Sequence, residues 1–263
     1  MRRNEQTLRL PVSGLEVFLS QPTGVEDLLL LEATNLDTQL ALALLTAIAQ
    51  AADGKEFAWD MLSITDLDTL LLRTRQLAFG DQLRADATCP ASNCGLPIEI
   101  SFQVSEYLAN YLPGSVPGVE AAEESGWLRL GNMPVLFRLP TAADQVAIAH
   151  HAHPEQELIH RCLRPTNLTS EQLQQIEEAM EILAPNLAQN LQGQCSECGA
   201  MVEIFFDPQQ FTLREFRNQA AFIYEEIHLL AMYYQWSESA ILALPRQRRM
   251  QYAERLRQTK RTA

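Results

Sequence analysis

Four of the five cysteines in this 263-residue chain occur as two pairs, Cys89 with Cys94 and Cys195 with Cys198. Nearly the same phrase follows each pair. After Cys94 come Gly95, two variable residues, then Ile98, Glu99, Ile100, Ser101 and Phe102. After Cys198 come Gly199, two variable residues, then Val202, Glu203, Ile204, Phe205 and Phe206. A short turn between two cysteines aims both sulfurs at one point, and a glycine just behind it permits φ > 0. Two such knuckles supply four thiolates, the number a tetrahedral structural Zn²⁺ needs. A closed set of four leaves no open position for substrate, so the chemistry it predicts is folding energy and not catalysis. The alternatives are a disulfide pair, two separate redox sites, or cysteines packed as small apolar side chains. The repeated cysteine-glycine phrase argues against all three. The first pair has four intervening residues where two are usual.

The flanking residues must hold these sulfurs in place. Alternating apolar runs leave both knuckles, and strand-like runs enter them at residues 83–88 and 187–194, so each knuckle tips a β-hairpin. A Leu-rich helix over residues 64–80, capped by Ser63 or Thr65 and closed by Gly80, delivers the chain into the first hairpin. Further hairpins are expected at 7–19 and at 127–139, the latter turning at Gly131 and Asn132. Residues 113–118 and the acids after them read as loop. Helices are expected at 36–51, 141–151, from Pro154 onward and at 170–183. The longest is expected over 211–235, followed by a short one at 238–244 and a basic one at 246–257. The fold class is therefore α+β: mainly helical, with a discontinuous zinc ribbon of two hairpin knuckles and small additional hairpins. We divide the chain into an N-terminal hairpin with helices (1–58), a zinc-ribbon region with an inserted hairpin and helices (59–210), and a C-terminal helical region with a basic tail (211–263).

Composition narrows the function. An apolar fraction of 47% allows a real core. No apolar run is long enough to span a bilayer and no signal-like segment follows Met1, which reads as a soluble cytosolic protein. In that compartment paired cysteines favour metal over disulfide. Cys162, in an apolar setting, is expected to pack as a small hydrophobe. A net charge of −13 argues against general nucleic-acid binding. From Pro245 onward seven basic residues face one acid, a net +6, so the remainder carries −19. Such a tail can meet an acidic partner or lie on its own body.

Other candidate sites are weaker. His150, His151, His153 and His160 cluster without a recognised ligand spacing and read as a solvated helix end. His228 reads as a core or interface histidine. Glu99 and Glu203 could be taken for paired catalytic carboxylates, but alternation places them on outer hairpin faces. No phosphate loop, nucleophile elbow or zincin motif is present. Trp236, Tyr233, Tyr234 and Tyr252 lie close to Arg248 and Arg249, the residue types of an interface hot spot and also of a packed helical corner.

Several stretches together resemble a known family. They are Leu71, Leu72 and Arg73 with Leu77 to Gly80, then Gly95 with Ile98 to Ile100, then Phe137 to Thr141 with Asp144. After the second cysteine pair come residues 224–231, Trp236 to Glu238, Ile241 to Pro245, Arg248, Arg249 and Tyr252. In this order, over about residues 60–257, they are similar to the baseplate-hub protein family of T-even-type contractile tails. Relatives occur in phages and in phage-derived extracellular contractile injection systems. The resemblance implies a non-enzymatic structural role at the baseplate, or a chaperone role in hub assembly that leaves the protein out of the finished particle. It implies hub or spike proteins as partners, reached through Trp236, Arg248, Arg249 and Tyr252, and no nucleic acid, membrane or small-molecule substrate. It also implies a cytoplasmic location during assembly. A nucleic-acid-binding zinc ribbon is a weaker alternative, because the knuckle strands carry Asp86, Glu99, Glu197 and Glu203 against Arg84.

Overall fold

The computed structural model describes residues 5–131 and 133–262. The chain opens with an antiparallel hairpin, β1 (Glu5–Arg9) and β2 (Glu16–Ser20). Its turn is held from outside: the carboxylate of Asp66 accepts the Val12 and Ser13 amides at 2.9 and 2.8 Å. Helix α1 (Gly24–Glu32) starts at a capping box between Thr23 and Glu26, and Asp37 caps α2 (Thr38–Ile48). The helix expected at 36–51 stops early. Ala49–Ala51 instead forms β3, which pairs with β2. A burial-rich Ala/Leu run does not by itself distinguish a helix end from a short edge strand.

Helix α3 (Ile64–Phe79) is the wall shared by two cores. Ser63 caps it, and Gly80 ends it at φ +89°. Leu67, Leu70 and Leu71, at helical spacing, face the larger core with Leu10, Leu19, Leu44, Leu45 and Phe216. Leu72 faces a second core with Leu83, Val104, Tyr107, Leu187 and Phe206. That second core is the root of both cysteine hairpins: β4 (Gln82–Thr88) with β5 (Pro97–Gln103), and β10 (Gln189–Gln194) with β11 (Met201–Phe206). Phe102, Tyr107 and Phe206 meet there with ring centroids 5.1–5.3 Å apart. Tyr107, on α4 (Val104–Asn110), donates to the Leu187 carbonyl at 2.6 Å.

Between the hairpins lies a four-stranded antiparallel sheet, β6 (Val119–Ala121), β7 (Leu128–Leu130), β8 (Leu136–Phe137) and β9 (Leu163–Arg164), with α5 (Ala142–Ile148), α6 (Pro154–Cys162) and α7 (Ser170–Leu183). The expected hairpin at 127–139 is its β7–β8 pair; Asn132 of the expected turn lies outside the described residues. Strand β6 was expected to be loop, and three residues carry too little alternation to announce a strand.

The helix expected over 211–235 is two helices, α8 (Pro208–Gln219) and α9 (Ile223–Tyr234). The break at Ala220 to Phe222 contains no breaker residue. Tertiary packing imposes it: α8 lies on α3, whereas α9 lies on α10 (Glu238–Leu242) and α11 (Arg246–Thr262). The longest described helix is α11, and the side chains of Lys260 and Arg261 in the basic tail lie outside the described set.

Helix α11 is fastened to the other end of the chain. Asp27 of α1, fully buried, pairs with both Arg246 and Arg249, and Arg249 Nε donates to Glu226 of α9 at 2.7 Å. Arg249 is only 1% exposed. It is therefore not available as the partner contact expected above: its guanidinium is used within the fold. Gly24 makes room for it, since a Cβ there would lie 2.7 Å from Arg249 Nη1 and 2.9 Å from Leu242 Cα. A second buried polar network links Thr38, Gln209, Asp68 and Gln145. Gln209 Nε2 donates to Asp68 at 2.9 Å and to Gln145 at 3.0 Å.

Candidate metal centre

Strands β4 and β10 carry the chain into the two knuckles, and β5 and β11 carry it out. Gly95 and Gly199 adopt φ of +64° and +72°, the left-handed backbone each turn needs to reverse within a few residues. Cys89 and Cys195 donate their amides to the Leu96 and Ala200 carbonyls, both at 2.9 Å, closing the two turns in the same way. Val202 is buried against Cys89 and Cys195, while Ile98, Ala200 and Ile204 pack alongside, so the sulfurs sit on a small apolar floor.

The four sulfurs meet. Cys89 Sγ lies 3.6 Å from Cys198 Sγ, and Cys94 Sγ lies 3.9 Å from Cys195 Sγ. All four lie within 4.8 Å of one another. Both short contacts run between the hairpins, and all four cysteines are free thiols. A Zn²⁺ about 2.3 Å from each of four sulfurs in a tetrahedron sets the S–S edge at about 3.8 Å. The donor set and its spacing thus fit a thiophilic divalent ion. Backbone amides point at the sulfurs as well. Those of Cys198 and Glu197 pull the Cys195 thiol down to about 7. Cys89 is pushed up to about 12: the Ala91 amide, the strongest single influence, lowers it, but burial and the neighbouring sulfurs together outweigh that amide. Sulfurs this close repel one another as thiolates, so the set ionises together only around a cation.

Among the described residues no other group of three or more His, Cys, Asp or Glu side chains has ligand spacing. His150, His151, His153 and His160 are exposed. His228 is also exposed, so of the two readings, core or interface, it is not a core histidine. Glu99 and Glu203 are exposed on their strands. Cys162 is buried, and burial pushes its thiol up to about 11. Of the expected interface residues, Trp236 stacks on Tyr234 at 5.0 Å and meets Tyr252 edge-on at 5.2 Å. Arg248 is exposed beside Tyr252. Missed in the sequence are the buried Asp27–Arg246–Arg249–Glu226 cluster and the buried pairing of Asp144, which binds Arg138 at 2.6 and 2.8 Å and Arg161 at 2.7 Å. Arg-to-acid pairing across 222 residues, as between Arg249 and Asp27, leaves no local signal.

No helix among the described residues is long and apolar enough to cross a membrane. Neither the curated proteins nor the solved structures contain a match to this chain. A family model does match, that of the T4 bacteriophage base plate protein, over residues 1–166. The match takes in Cys89, Cys94 and the first hairpin and ends before the second cysteine pair. It covers more than half of the 263 residues, and the chain belongs to the T4 bacteriophage base plate protein family.

Proposed function

We propose that this chain is a non-enzymatic structural protein of a contractile-tail or injection-system baseplate, at the hub. In this reading Cys89, Cys94, Cys195 and Cys198 hold one structural Zn²⁺. The family match supports the baseplate role. The observation that carries the metal reading is the S–S spacing of 3.6 and 3.9 Å between sulfurs from two separate hairpins. When bound, the ion supplies folding energy and no reaction step. This chain's residues do the rest: the apolar floor shields the sulfurs, the knuckle amides stabilise thiolate charge, and the aromatic root fixes the other end of both hairpins. Contacts with hub or spike proteins are assigned to Trp236, Arg248 and Tyr252 on the α9–α11 face, where exposed Tyr233 and Met232 extend the surface.

The test is metal analysis of the purified full chain. About one zinc per chain is expected, with a large loss of thermal stability on treatment with a strong chelator and in Cys195→Ser. A metal-free chain that is fully folded with all four thiols reactive defeats the metal reading. Immunoblotting of purified particles then separates a resident component from an assembly chaperone that departs.

A further inference from the structure

Outside the sulfur cluster, the space between the two hairpins has no role so far. The hairpins are separate two-stranded sheets that meet at their tips and at their roots. Between those points a groove of about 830 Å³ is walled by residues 84–86 of β4 and 204–206 of β11 and floored by α8. Consecutive residues on a strand point to opposite faces. Three in a row on each wall therefore mean that strand edges, not sheet faces, look into the groove. Among the described residues no backbone hydrogen bond joins β4 to β11. An edge strand presents unpaired N–H and C=O groups at every second residue, a template for one more strand.

The two walls differ. Arg84 and Asp86 put charges on β4, the usual way to blunt an edge. On β11, Phe205 is 63% exposed. Arg214, on the α8 floor, is exposed and makes no ion pair among the described residues. The groove thus offers backbone hydrogen bonds, one apolar contact and one unpaired cation in sequence. We propose that the outer edge of β11 accepts an extended segment of a baseplate partner protein as an added strand. An apolar side chain of that segment lies on Phe205 and a carboxylate meets Arg214. This deepens, and rests on, the reading of the chain as a protein that engages other baseplate proteins. It does not depend on which metal the cysteines hold.

Hydrogen exchange on the full-length, metal-loaded chain tests it. The probes are extended peptides of about 15 residues, each with an apolar residue and a carboxylate, tiled from baseplate proteins of the same genome and long enough for one added strand. The expected result is fast exchange, in the free chain, of the alternate amides within 203–206 that point away from β10, slowed about tenfold or more by a binding peptide. Phe205→Asp and Arg214→Glu should each weaken that peptide about tenfold, while metal content and melting temperature stay unchanged. The proposal is overturned if these amides are already slow in the free chain, if bound peptides leave them fast, or if no peptide binds. Should the chain still co-purify with baseplate proteins through its α9–α11 face in those cases, its assignment to the baseplate stands and strand addition alone falls.

Discussion

Replacing Asp27 by Asn keeps its shape and removes its charge, which isolates what the buried cluster contributes. In the parent, the cations Arg246 and Arg249 face the anions Asp27 and Glu226, so the cluster is neutral. Asp27→Asn leaves it with one excess positive charge among side chains of which Asp27 is 0% and Arg249 1% exposed. Breaking a buried pair from one side costs about 3–5 kcal/mol. For a chain of this size about 2–4 °C of melting temperature accompanies each kcal/mol, so a fall of about 6–20 °C is expected. The assay is thermal unfolding followed by circular dichroism at pH 7. Because the cluster is shielded from solvent, the loss should persist at high salt, where exposed pairs are screened. Adding Arg249→Met restores neutrality, so the double variant should be more stable than the sum of the two single losses implies. A melting temperature within about 2 °C of the parent for Asp27→Asn, or strict additivity in the cycle, refutes the argument.

Asp68 gives the fold a pH dependence of its own. Burial pushes its carboxyl up to about 8 against the opposing Gln209 hydrogen bond, so the folded state holds a proton that the unfolded state releases near pH 4. Stability should therefore fall as pH rises from about 4 to 8, and Asp68→Asn should flatten that slope, recovering up to about 4 kcal/mol at pH 7. Denaturant titrations at several pH values read this directly. Burial also acts to raise Asp144, but the Arg138 fork, the Thr141 amide and Arg161 outweigh it and hold the carboxyl below its usual range. Its contribution is present above the usual carboxylate range and lost as pH falls below about 4, so Asp144→Asn should unfold more easily at pH 7 and show a shallower acid limb. Gly24→Ala should cost about 1–3 kcal/mol, since Arg249 and the Leu242 backbone must shift to admit the methyl group; chemical denaturation measures it.

What could be read in the sequence had local causes. The knuckles were visible because each cysteine-glycine phrase and the strand alternation behind it fit within about a dozen consecutive residues. The ends of α3 and α7 were visible because Ser63 and Thr169 cap them through their own side chains. What escaped has distant causes. The break between α8 and α9 follows from two different packing partners. Ala49–Ala51 becomes a strand because β2 offers an edge. Arg249 read as a surface contact because its composition is that of a hot spot, and only the folded chain brings Asp27 and Glu226 around it. His228, among apolar neighbours, read as a core or interface histidine, and its exposure on α9 removes the core alternative.

The sulfur cluster also has a history in time. Cys89 and its contact Cys198 are separated by 109 positions in the chain. At ribosomal speeds of about 5–20 residues per second, the first two thiols emerge about 5–20 s before the last one that completes the set. During that interval the nascent chain carries an unfinished dithiol turn, able to hold an ion with only half its ligands and open to oxidants. Closure of the middle of the molecule thus waits on translation of its final third.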